Sequence, residues 1–301
     1  MTKLHEDQID IDADLVRGLL ALQLPEAADM PIVPIESTGT VNALFRVGEG
    51  LIARLPLVAR WSNGIEREWA WLPWIRRGVT SVRLPEGVVK GQPTDEYPFP
   101  WAIYRWIEGA PYDDGLVDDE RAAATTLARF VMELRALHPV EHAPPAGRRP
   151  LSELDVETRR AIRAGGNIID SAAAMSVWEH ALQAPAWDGA KTWIHSDLLR
   201  PNLLVNVGRL EAVIDFGGVG VGDPATDLIS AWSVFGMNGR DAFRKALDPD
   251  DAMWSRGRGI ALHQAANIIP YYAETNPGFV ALSVRAIEQI IDEFAAEKLL
   301  R

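Results

Sequence analysis

The chain has 301 residues, 48% of them hydrophobic, which is typical of a globular protein with room for two lobes. It contains no cysteine, which excludes disulfides and thiolate metal sites and favours a reducing cytoplasm. The net charge of −12 argues against a nucleic-acid-binding surface and is compatible with a cationic ligand. The acidic first residues lack signal-peptide features and no apolar run is long enough for a bilayer, so we expect a cytoplasmic protein without a membrane partner.

The first hundred residues predict one helix followed by a small sheet. Apolar residues at helical spacing indicate an amphipathic helix over residues 10–24. Three short apolar runs separated by turn residues then predict a meander of strands, and a second helix follows. These strands cover residues 31–35, 43–47 and 51–55, and the helix covers residues 65–77.

The loop Ser37-Thr38-Gly39-Thr40, followed by Asn42, lies between the first two strands. It is small and polar, so its backbone N–H groups could approach phosphate oxygens. Arg54 on the third strand supplies a cation within reach of the same phosphates, and Glu68 on the following helix supplies a carboxylate to hold it. We therefore predict a nucleotide-phosphate site, although a plain hairpin loop and a solvated surface pair would look similar.

A further apolar strand runs over residues 101–107 and ends at a Gly/Pro break. Such a strand end is a candidate hinge, where the backbone of Arg105, Trp106 and Ile107 could pair with the edge of a nucleotide base. We accordingly divide the chain into a nucleotide-binding lobe, residues 1–106, and a catalytic and acceptor-binding lobe, residues 107–301.

The segment 108–120 carries six acidic residues and no Lys or Arg. A solvated linker that also supplies helix-starting carboxylates is favoured over a polycation-binding strip. Helical patterns follow up to His138, over residues 153–184 and again towards residue 299, while residues 140–152 are predicted to be an exposed loop. Asp223 suits a helix N-cap, and Asp227 is interpreted as mainly structural, able to brace the neighbouring loop.

The stretch 193–217 organises the rest of the chain. It contains His195, Asp197, Asn202 and Asp215 in the pattern His-x-Asp-x-x-x-x-Asn followed by Asp-Phe-Gly. Two short apolar runs around the turn 206–209 predict a hairpin that brings Asn202 and Asp215 together at its open end. Phosphoryl transfer needs one carboxylate near the attacking hydroxyl and two oxygen ligands for Mg²⁺, and the pattern supplies all three. Each residue alone would more often be an ordinary core or turn residue.

These features together resemble the aminoglycoside phosphotransferase family, small-molecule kinases of the protein-kinase-like fold. The resemblance covers nearly the whole chain and includes Gly-Asp-Pro at residues 222–224. It implies an α+β fold with a small β-rich N-lobe and a larger, mainly helical C-lobe. It also implies that Asp197, with His195 beside it, forms the catalytic set, that Asn202 and Asp215 bind Mg²⁺, and that Arg54 with Glu68 grips the phosphates.

The chain departs from the family next to the catalytic aspartate. Ser196 stands where the family commonly has Gly, and Leu199-Arg200-Pro201 replaces the more usual His-Pro-Gly. Only residues 216–222 separate Asp215 from the next motif, which leaves no room for the activation segment of a protein kinase. A small acceptor is therefore preferred to a protein.

The resulting hypothesis is a kinase that transfers the γ-phosphoryl of ATP or GTP to a hydroxyl of an aminoglycoside-like, cationic substrate, an activity associated with antibiotic resistance. A metabolite kinase acting on choline, a sugar or an amino alcohol is the alternative within the same chemistry. A nucleotide-binding protein without catalysis is the third reading. The choice between ATP and GTP and the oligomeric state are left open.

Overall fold

The computed structural model describes residues 5–37 and 39–299, and its N-terminal part is a five-stranded antiparallel sheet. In chain order the elements are α1 (Ala13–Gln23), β1 (Ile32–Pro34), β2 (Asn42–Val47), β3 (Leu51–Pro56), α2 (Asn63–Ile75), β4 (Gly87–Gly91) and β5 (Trp101–Arg105). The strands are ordered β1-β2-β3-β5-β4. The predicted three-strand meander is thus confirmed, and α1 begins three residues later than predicted, where Asp12 caps it by accepting from Leu15 N–H at 2.8 Å.

The alternation of side chains along the strands separates two faces of this sheet. One face buries residues such as Phe45, Leu55 and Ile103 together with Leu19 and Leu20 of α1 in a compact core. The opposite face carries Ile52, Arg54 and Tyr104, which turn towards the rest of the chain. The helix α2 packs with the core of the C-terminal helices, not with the core under α1.

The remainder is mainly helical. Its elements are β6 (Ala110–Pro111), α3 (Glu120–Ala136), α4 (Leu151–Ala164), α5 (Ser171–Ala181), β7 (Thr192–Ile194), β8 (Leu203–Asn206), β9 (Arg209–Val213), β10 (Gly220–Gly222), α6 (Ser230–Ser233), α7 (Met237–Leu247), α8 (Asp251–Tyr272) and α9 (Pro277–Leu299). The helix α3 packs on α7, and α8 packs on both α4 and α9. Large buried side chains, among them Trp178, Trp193 and Trp232, fill the space between them. The fold class is α+β, as predicted.

The predicted hairpin of the central stretch is formed by β8 and β9, which pair from Leu203 with Val213 to Asn206 with Arg209. Its turn residues Val207 and Gly208 both have positive φ, 46° and 73°, as tight hairpin turns require. A third strand, β6, pairs with β8. The open end of this hairpin leads directly into Asn202 on one side and towards Asp215 on the other.

The segment 140–152 is a mostly exposed loop up to Pro150, as predicted, but part of it pairs with β10. Residues 144–146 extend along β10: Val221 N–H donates to Pro144 O at 2.8 Å, and Ala146 N–H donates to Val221 O at 3.0 Å. Pro144 and Pro145 interrupt the alternating pattern of a strand, so the sequence does not predict this pairing. Proline is nevertheless tolerated at the edge of a sheet. The segment therefore lies beside β7 and β10, which flank the central stretch 193–217.

The acidic segment 108–120 is engaged in internal contacts. Asp119 caps α3 by accepting from the N–H groups of Arg121 and Ala122. Glu120 accepts from the N–H groups of Gly236 and Gly239 at 2.5 and 2.9 Å. The interpretation of these carboxylates as helix-starting groups is confirmed. Among the helices of residues 5–37 and 39–299, none combines the length and apolarity needed to cross a bilayer.

Gly222→Ala is expected to destabilise the protein by about 1–3 kcal/mol, because the added Cβ would meet the backbone carbonyl of Ala146, which has no room to yield. Gly18→Ala is the matched control: nothing lies within 4 Å of its added Cβ in α1, and alanine favours a helix by up to about 1 kcal/mol. Urea unfolding of both variants measures the effect. Equal stability of the two would contradict the packing of residues 144–147 on β10.

Candidate active site

Arg54 is the centre of a buried ion network. Its Nη1 donates to both carboxylate oxygens of Glu68 at 2.9 and 2.8 Å, and its Nη2 donates to Asp215 Oδ1 at 2.8 Å. Arg54 and Glu68 are 8% and 0% exposed. Glu68 Oε2 also accepts from the backbone N–H of Phe216 at 2.9 Å. The network therefore joins β3, α2 and the loop that follows the central hairpin.

Asp215 is presented to the open space beside this network. Its backbone is left-handed, with φ 64°, and 31% of its side chain is exposed. Burial acts to raise the pKa of its carboxyl, but Arg54 outweighs burial and holds that pKa below its ordinary value. Asp215 is therefore an ionised carboxylate with one oxygen bound by Arg54.

Asp197 is held by hydrogen bonds on both carboxylate oxygens. Gln264 Nε2 donates to Oδ1 and Asn202 Nδ2 donates to Oδ2, each at 2.9 Å. Burial raises the pKa of Asp197 above its ordinary value, and the nearby charge of Arg148 opposes this. The two amide donors fix the orientation of the carboxylate while leaving it with a lone pair for a further hydrogen bond.

His195 lies behind Asp197 and does not line the open space. Its ring is fully buried and packs edge-on against Phe216 with centroids 4.6 Å apart. Its Nε2 donates to Ile214 O at 3.1 Å, and its Nδ1 accepts from Asp197 N–H at 3.3 Å. Burial lowers its pKa to about 4, so the ring stays neutral. Both ring nitrogens are hydrogen-bonded to backbone groups, so the ring fixes the backbone next to Asp197.

Asp227 fixes the backbone of the same loop. Its Oδ2 accepts from His195 N–H at 2.9 Å, and its Oδ1 accepts from Ser196 N–H at 2.8 Å. The carboxyl is fully buried, and burial raises its pKa to about 6. Asp223 caps residues 224–229 and pairs with Arg256 at 2.8 Å. Both aspartates have the structural roles expected of them.

Ser196, which stands where the family commonly has glycine, adopts a backbone conformation that favours glycine. Its φ is 71°, in the left-handed region that glycine adopts without strain. The serine hydroxyl donates to Gly218 O at 2.8 Å, which offsets part of that strain and ties the loop to residues 216–218.

Asn202 and Asp215 carry amide and carboxylate oxygens of the kind that Mg²⁺ binds in proteins. The Nδ2 of Asn202 donates to both the backbone oxygen and Oδ2 of Asp197, so the amide Oδ1 of Asn202 is left to serve as a ligand. Over residues 5–37 and 39–299 no cluster of three or more His, Cys, Asp or Glu side chains could hold a metal alone. Mg²⁺ is usually held by one or two protein oxygens plus phosphate and water, so the pair fits this ion.

One cleft gathers most of the predicted site residues. Asp197 and Asp215 line it, whereas Glu68 and His195 are not among its lining residues. Thr38 lies outside the described residues. The predicted residues that line the cleft are Ser37, Gly39, Thr40, Asn42, Arg54, Arg105, Trp106, Ile107, Asp197, Asn202 and Asp215.

The predicted hinge offers fewer free backbone donors than expected. The N–H of Arg105 donates to Glu86 O and the N–H of Trp106 donates to Gly50 O, each at 2.8 Å. The N–H of Ile107 donates to no backbone acceptor in the described part of the chain. Ile107 is therefore the hinge residue whose N–H remains for a ligand.

Two residues of the site were missed by the sequence analysis. Gln264 belongs to the long helix α8, and its signal is a polar side chain between the apolar positions Ala261 and Ala265. Arg148 follows the extended segment 144–147 and has no ion pair or hydrogen bond within residues 5–37 and 39–299. Its proximity to Asp197 depends on the pairing of that segment with β10, which no local pattern indicated.

Comparison with known proteins agrees with this geometry. Residues 32–260 match the model of the Phosphotransferase enzyme family (APH). The GDP and kanamycin complex of APH(2")-IIIa superimposes with a TM-score of 0.72 at 17% identity, covering 92% of this chain and 98% of that one. The GDP complex of wild-type aminoglycoside 2'-phosphotransferase-IIIa gives 0.69 at 17% identity, with 97% and 99% covered.

A third structure shares the same fold. The apoenzyme of macrolide 2'-phosphotransferase MphH from Brachybacterium faecium gives a TM-score of 0.57 at 17% identity, with 92% of this chain and 97% of that chain covered. A search of curated proteins finds no match. The fold and site define a phosphotransferase for small hydroxylated molecules. The chain belongs to the Phosphotransferase enzyme family (APH).

Ser196→Ala is expected to destabilise the protein by about 1 kcal/mol more than Ser196→Gly. Both variants lose the hydroxyl hydrogen bond to Gly218 O, but only glycine relieves the left-handed backbone, for which a side chain costs roughly 1–2 kcal/mol. Urea unfolding of the pair provides the measurement. Greater stability of the alanine variant would contradict the strained conformation.

Proposed function

We propose that this phosphotransferase moves the γ-phosphoryl group of ATP or GTP to a hydroxyl of a small molecule, with Mg²⁺, in the cleft between the sheet and the central hairpin. The observation that carries the proposal is that Asp197, Asn202 and Asp215 all line one cleft. Residues 1–106 would form the nucleotide-binding lobe, and residues 107–301 the catalytic and acceptor-binding lobe.

The nucleotide would lie along the sheet. The base would meet the free N–H of Ile107, and the loop around Gly39 and Thr40 would face the phosphates. Arg54 supplies the positive charge for the phosphates and is kept in place by Glu68. Complexes of related structures with GDP and with ATP support a nucleotide co-substrate. ATP and GTP remain equal candidates, since the backbone N–H of Ile107 can serve either base.

Asn202 and Asp215 would hold the magnesium ion through Oδ1 of the amide and a carboxylate oxygen. When bound, the ion supplies positive charge beside the phosphate oxygens. The ionised state of Asp215 supports this role, because its carboxyl carries a negative charge at neutral pH. Asn202 would serve two functions at once, since its Nδ2 also orients Asp197.

Asp197 would accept the acceptor hydroxyl in a hydrogen bond and aim its oxygen at the γ-phosphorus. As the new oxygen–phosphorus bond forms, the bond from the γ-phosphorus to the β–γ bridging oxygen breaks, and the hydroxyl proton passes to Asp197. Because the transition state is loose, the main contribution of Asp197 is orientation. His195 and Asp227 would support it by fixing the loop backbone on which it stands.

The remaining parts of the proposal concern the cellular location and the kind of acceptor. The absence of cysteine supports a cytoplasmic location. Kanamycin and gentamicin complexes of structures with the same fold support a hydroxylated acceptor, and modification of such a compound would confer antibiotic resistance. A nucleotide-binding protein that has lost catalysis would lack Asp197, Asn202 or Asp215. All three are present in this chain, which disfavours that alternative.

Asp197→Asn is expected to lower kcat by on the order of 10²–10⁴, the range of a general base, while the affinity for nucleotide is kept. The measurement is nucleoside diphosphate release with an acceptor identified by screening aminoglycosides, macrolides and metabolites in parallel. Asp188→Asn, a change at an exposed aspartate, is the control and should leave kcat unchanged. Full turnover by Asp197→Asn would refute the assignment.

The pH profile should reflect the burial of Asp197. A solvated aspartate has a pKa of about 3.9. Because the pKa of Asp197 is raised, its carboxylate becomes protonated, and kcat/KM is lost, at a higher pH than for a solvated aspartate. Measuring kcat/KM for the acceptor from pH 8 downwards locates this acid limb. Activity that persists unchanged below an ordinary aspartate pKa would contradict the role of Asp197 as base.

A further inference from the structure

His5 is a buried residue of the segment that precedes α1, and its side chain is only 4% exposed. The segment is attached to the end of β3, because Ile9 N–H donates to Leu57 O at 3.1 Å. A turn follows His5, in which Gln8 N–H donates to His5 O at 3.2 Å. The segment supplies none of the groups that the proposed reaction uses, yet it buries a polar ring, which is costly unless the ring is hydrogen-bonded.

Both ring nitrogens of His5 have a partner. The Nε2 atom lies 2.8 Å from Thr40 O, and the Nδ1 atom lies 3.2 Å from the hydroxyl of Tyr271. A carbonyl oxygen can only accept, so a neutral ring carries its proton on Nε2 and accepts from Tyr271 at Nδ1. The Tyr271 oxygen accepts from Arg60 Nη2 at 3.2 Å, and Arg60 Nη1 donates to both carboxylate oxygens of Asp7 at 2.7 Å. One continuous chain of hydrogen bonds therefore runs from Asp7 to Thr40.

Aromatic rings hold His5 in this orientation. Trp61 packs edge-on against it with ring centroids 4.6 Å apart, and the centroids of Tyr271 and Tyr272 lie 6.1 and 6.0 Å away. Tyr272 is also hydrogen-bonded to the side chain of Thr40. Thr40 belongs to the loop between β1 and β2, whereas the two tyrosines end α8. These four rings, the aromatic clasp, therefore join a loop of the N-terminal sheet to the C-terminal helices.

Thr40 lies in the loop that would face the nucleotide phosphates, and Gly39, Thr40 and Val41 all line the cleft. In a trans peptide the C=O and the following N–H point in opposite directions. The hydrogen bond from His5 to Thr40 O therefore directs Val41 N–H away from His5. Over residues 5–37 and 39–299 this N–H donates to no backbone acceptor. His5 thus fixes the orientation of a donor that is available for a phosphate oxygen.

The helix that carries the two tyrosines also holds the proposed base. Gln264 Nε2 donates to Asp197 Oδ1 at 2.9 Å. Gln264 and Tyr271 lie seven residues apart in α8, about two turns or roughly 10 Å along its axis. The phosphate-facing loop and the Asp197 carboxylate are therefore bound to one face of the same helix. Such a common support fixes their separation, on which the alignment of the reacting groups depends.

Building on the proposed function, we propose that His5 is a positioning residue, which holds the phosphate-facing loop against α8 through the carbonyl of Thr40. The clasp orders the loop before the nucleoside triphosphate binds, so less conformational entropy is lost on binding. It also keeps the γ-phosphoryl group aligned with Asp197. Its contribution is specific to the phosphates, because the base would meet Ile107 at the hinge, away from the clasp.

Two substitutions of His5 separate its hydrogen bond from its packing. His5→Phe keeps a ring against Trp61 but has no donor for Thr40 O, whereas His5→Gln supplies an amide N–H of similar reach. Glu6→Gln, at the exposed neighbouring position, is the control. Dissociation constants are measured with Mg²⁺ for ATP and GTP, and for adenosine and guanosine by displacement of bound nucleoside diphosphate. The acceptor found by screening gives kcat, and the thermal midpoint reports folding.

His5→Phe is expected to weaken binding of the preferred triphosphate by roughly threefold to tenfold, the worth of one hydrogen bond, and to leave binding of the corresponding nucleoside within about twofold. The value of kcat should fall by about tenfold, because the phosphoryl group is less well aligned. His5→Gln should regain most of the triphosphate affinity, and Glu6→Gln should behave as the wild type.

Unchanged triphosphate affinity in His5→Phe, or equal losses for the triphosphate and the nucleoside, would overturn this inference and leave the phosphotransferase function standing. Equal defects in His5→Gln and His5→Phe would also overturn it, because the hydrogen bond to Thr40 would then not be the cause. Failure of the wild-type protein to bind either triphosphate would instead overturn the proposed function. Binding by the wild type therefore separates the two failures.

Discussion

The structure of the site depends on the ion network of Arg54 with Glu68 and Asp215. These side chains come from β3, α2 and the loop after the central hairpin, so the network is the point where the sheet and the catalytic loop are joined. Removing one partner of a buried ion pair typically costs 3–5 kcal/mol, because the other charge is left without compensation. The network also holds the guanidinium where nucleotide phosphates would lie.

The charges of this network leave an excess of one negative charge, since two carboxylates face a single guanidinium. That excess is directed at the cleft through Asp215, whose side chain is the exposed one of the three. A divalent cation with its nucleotide would complete the balance. Asp215 is therefore both a member of the ion network and a proposed metal ligand.

A second set of contacts positions Asp197 without touching ligand. Asp227 holds two backbone N–H groups, and His195 uses both ring nitrogens to connect residue 197 with residue 214. Preorganisation of this kind lowers the cost of aligning the acceptor hydroxyl. Ser196 belongs to the same loop and shows that the left-handed conformation is kept even where glycine is absent.

The sequence was informative where residues close in the chain determine the geometry. The offsets of Asp197, Asn202 and Asp215 on a hairpin frame, and the pattern of the first three strands, both rest on local periodicity and turn chemistry. The positions of Gln264 and Arg148 depend on long-range packing of α8 and of residues 144–147, which no local pattern encodes. His195 illustrates the same limit, because a motif indicates only that a histidine lies near Asp197, whereas its contacts show which atoms it uses.

The surroundings of Asp197 are the part of the molecule least determined by local sequence patterns. They include α8, which carries Gln264, and the loop at residues 199–201. In the acidic segment 108–120, Asp119 and Glu120 cap helices and Asp114 pairs with Arg200. Composition and net charge therefore say little about the acceptor, because they do not reveal which charges are already paired.

The most direct test of the central claim is a double-mutant cycle between Arg54 and Glu68, using Arg54→Met and Glu68→Leu, with unfolding free energy and nucleotide affinity as readouts. If the network acts as a unit, each single variant is strongly destabilised and the double variant loses less than the sum, with a coupling energy of about 1–3 kcal/mol. Nucleotide affinity should fall in every variant that lacks Arg54. Additive effects on stability, or unchanged nucleotide affinity without Arg54, would contradict the account.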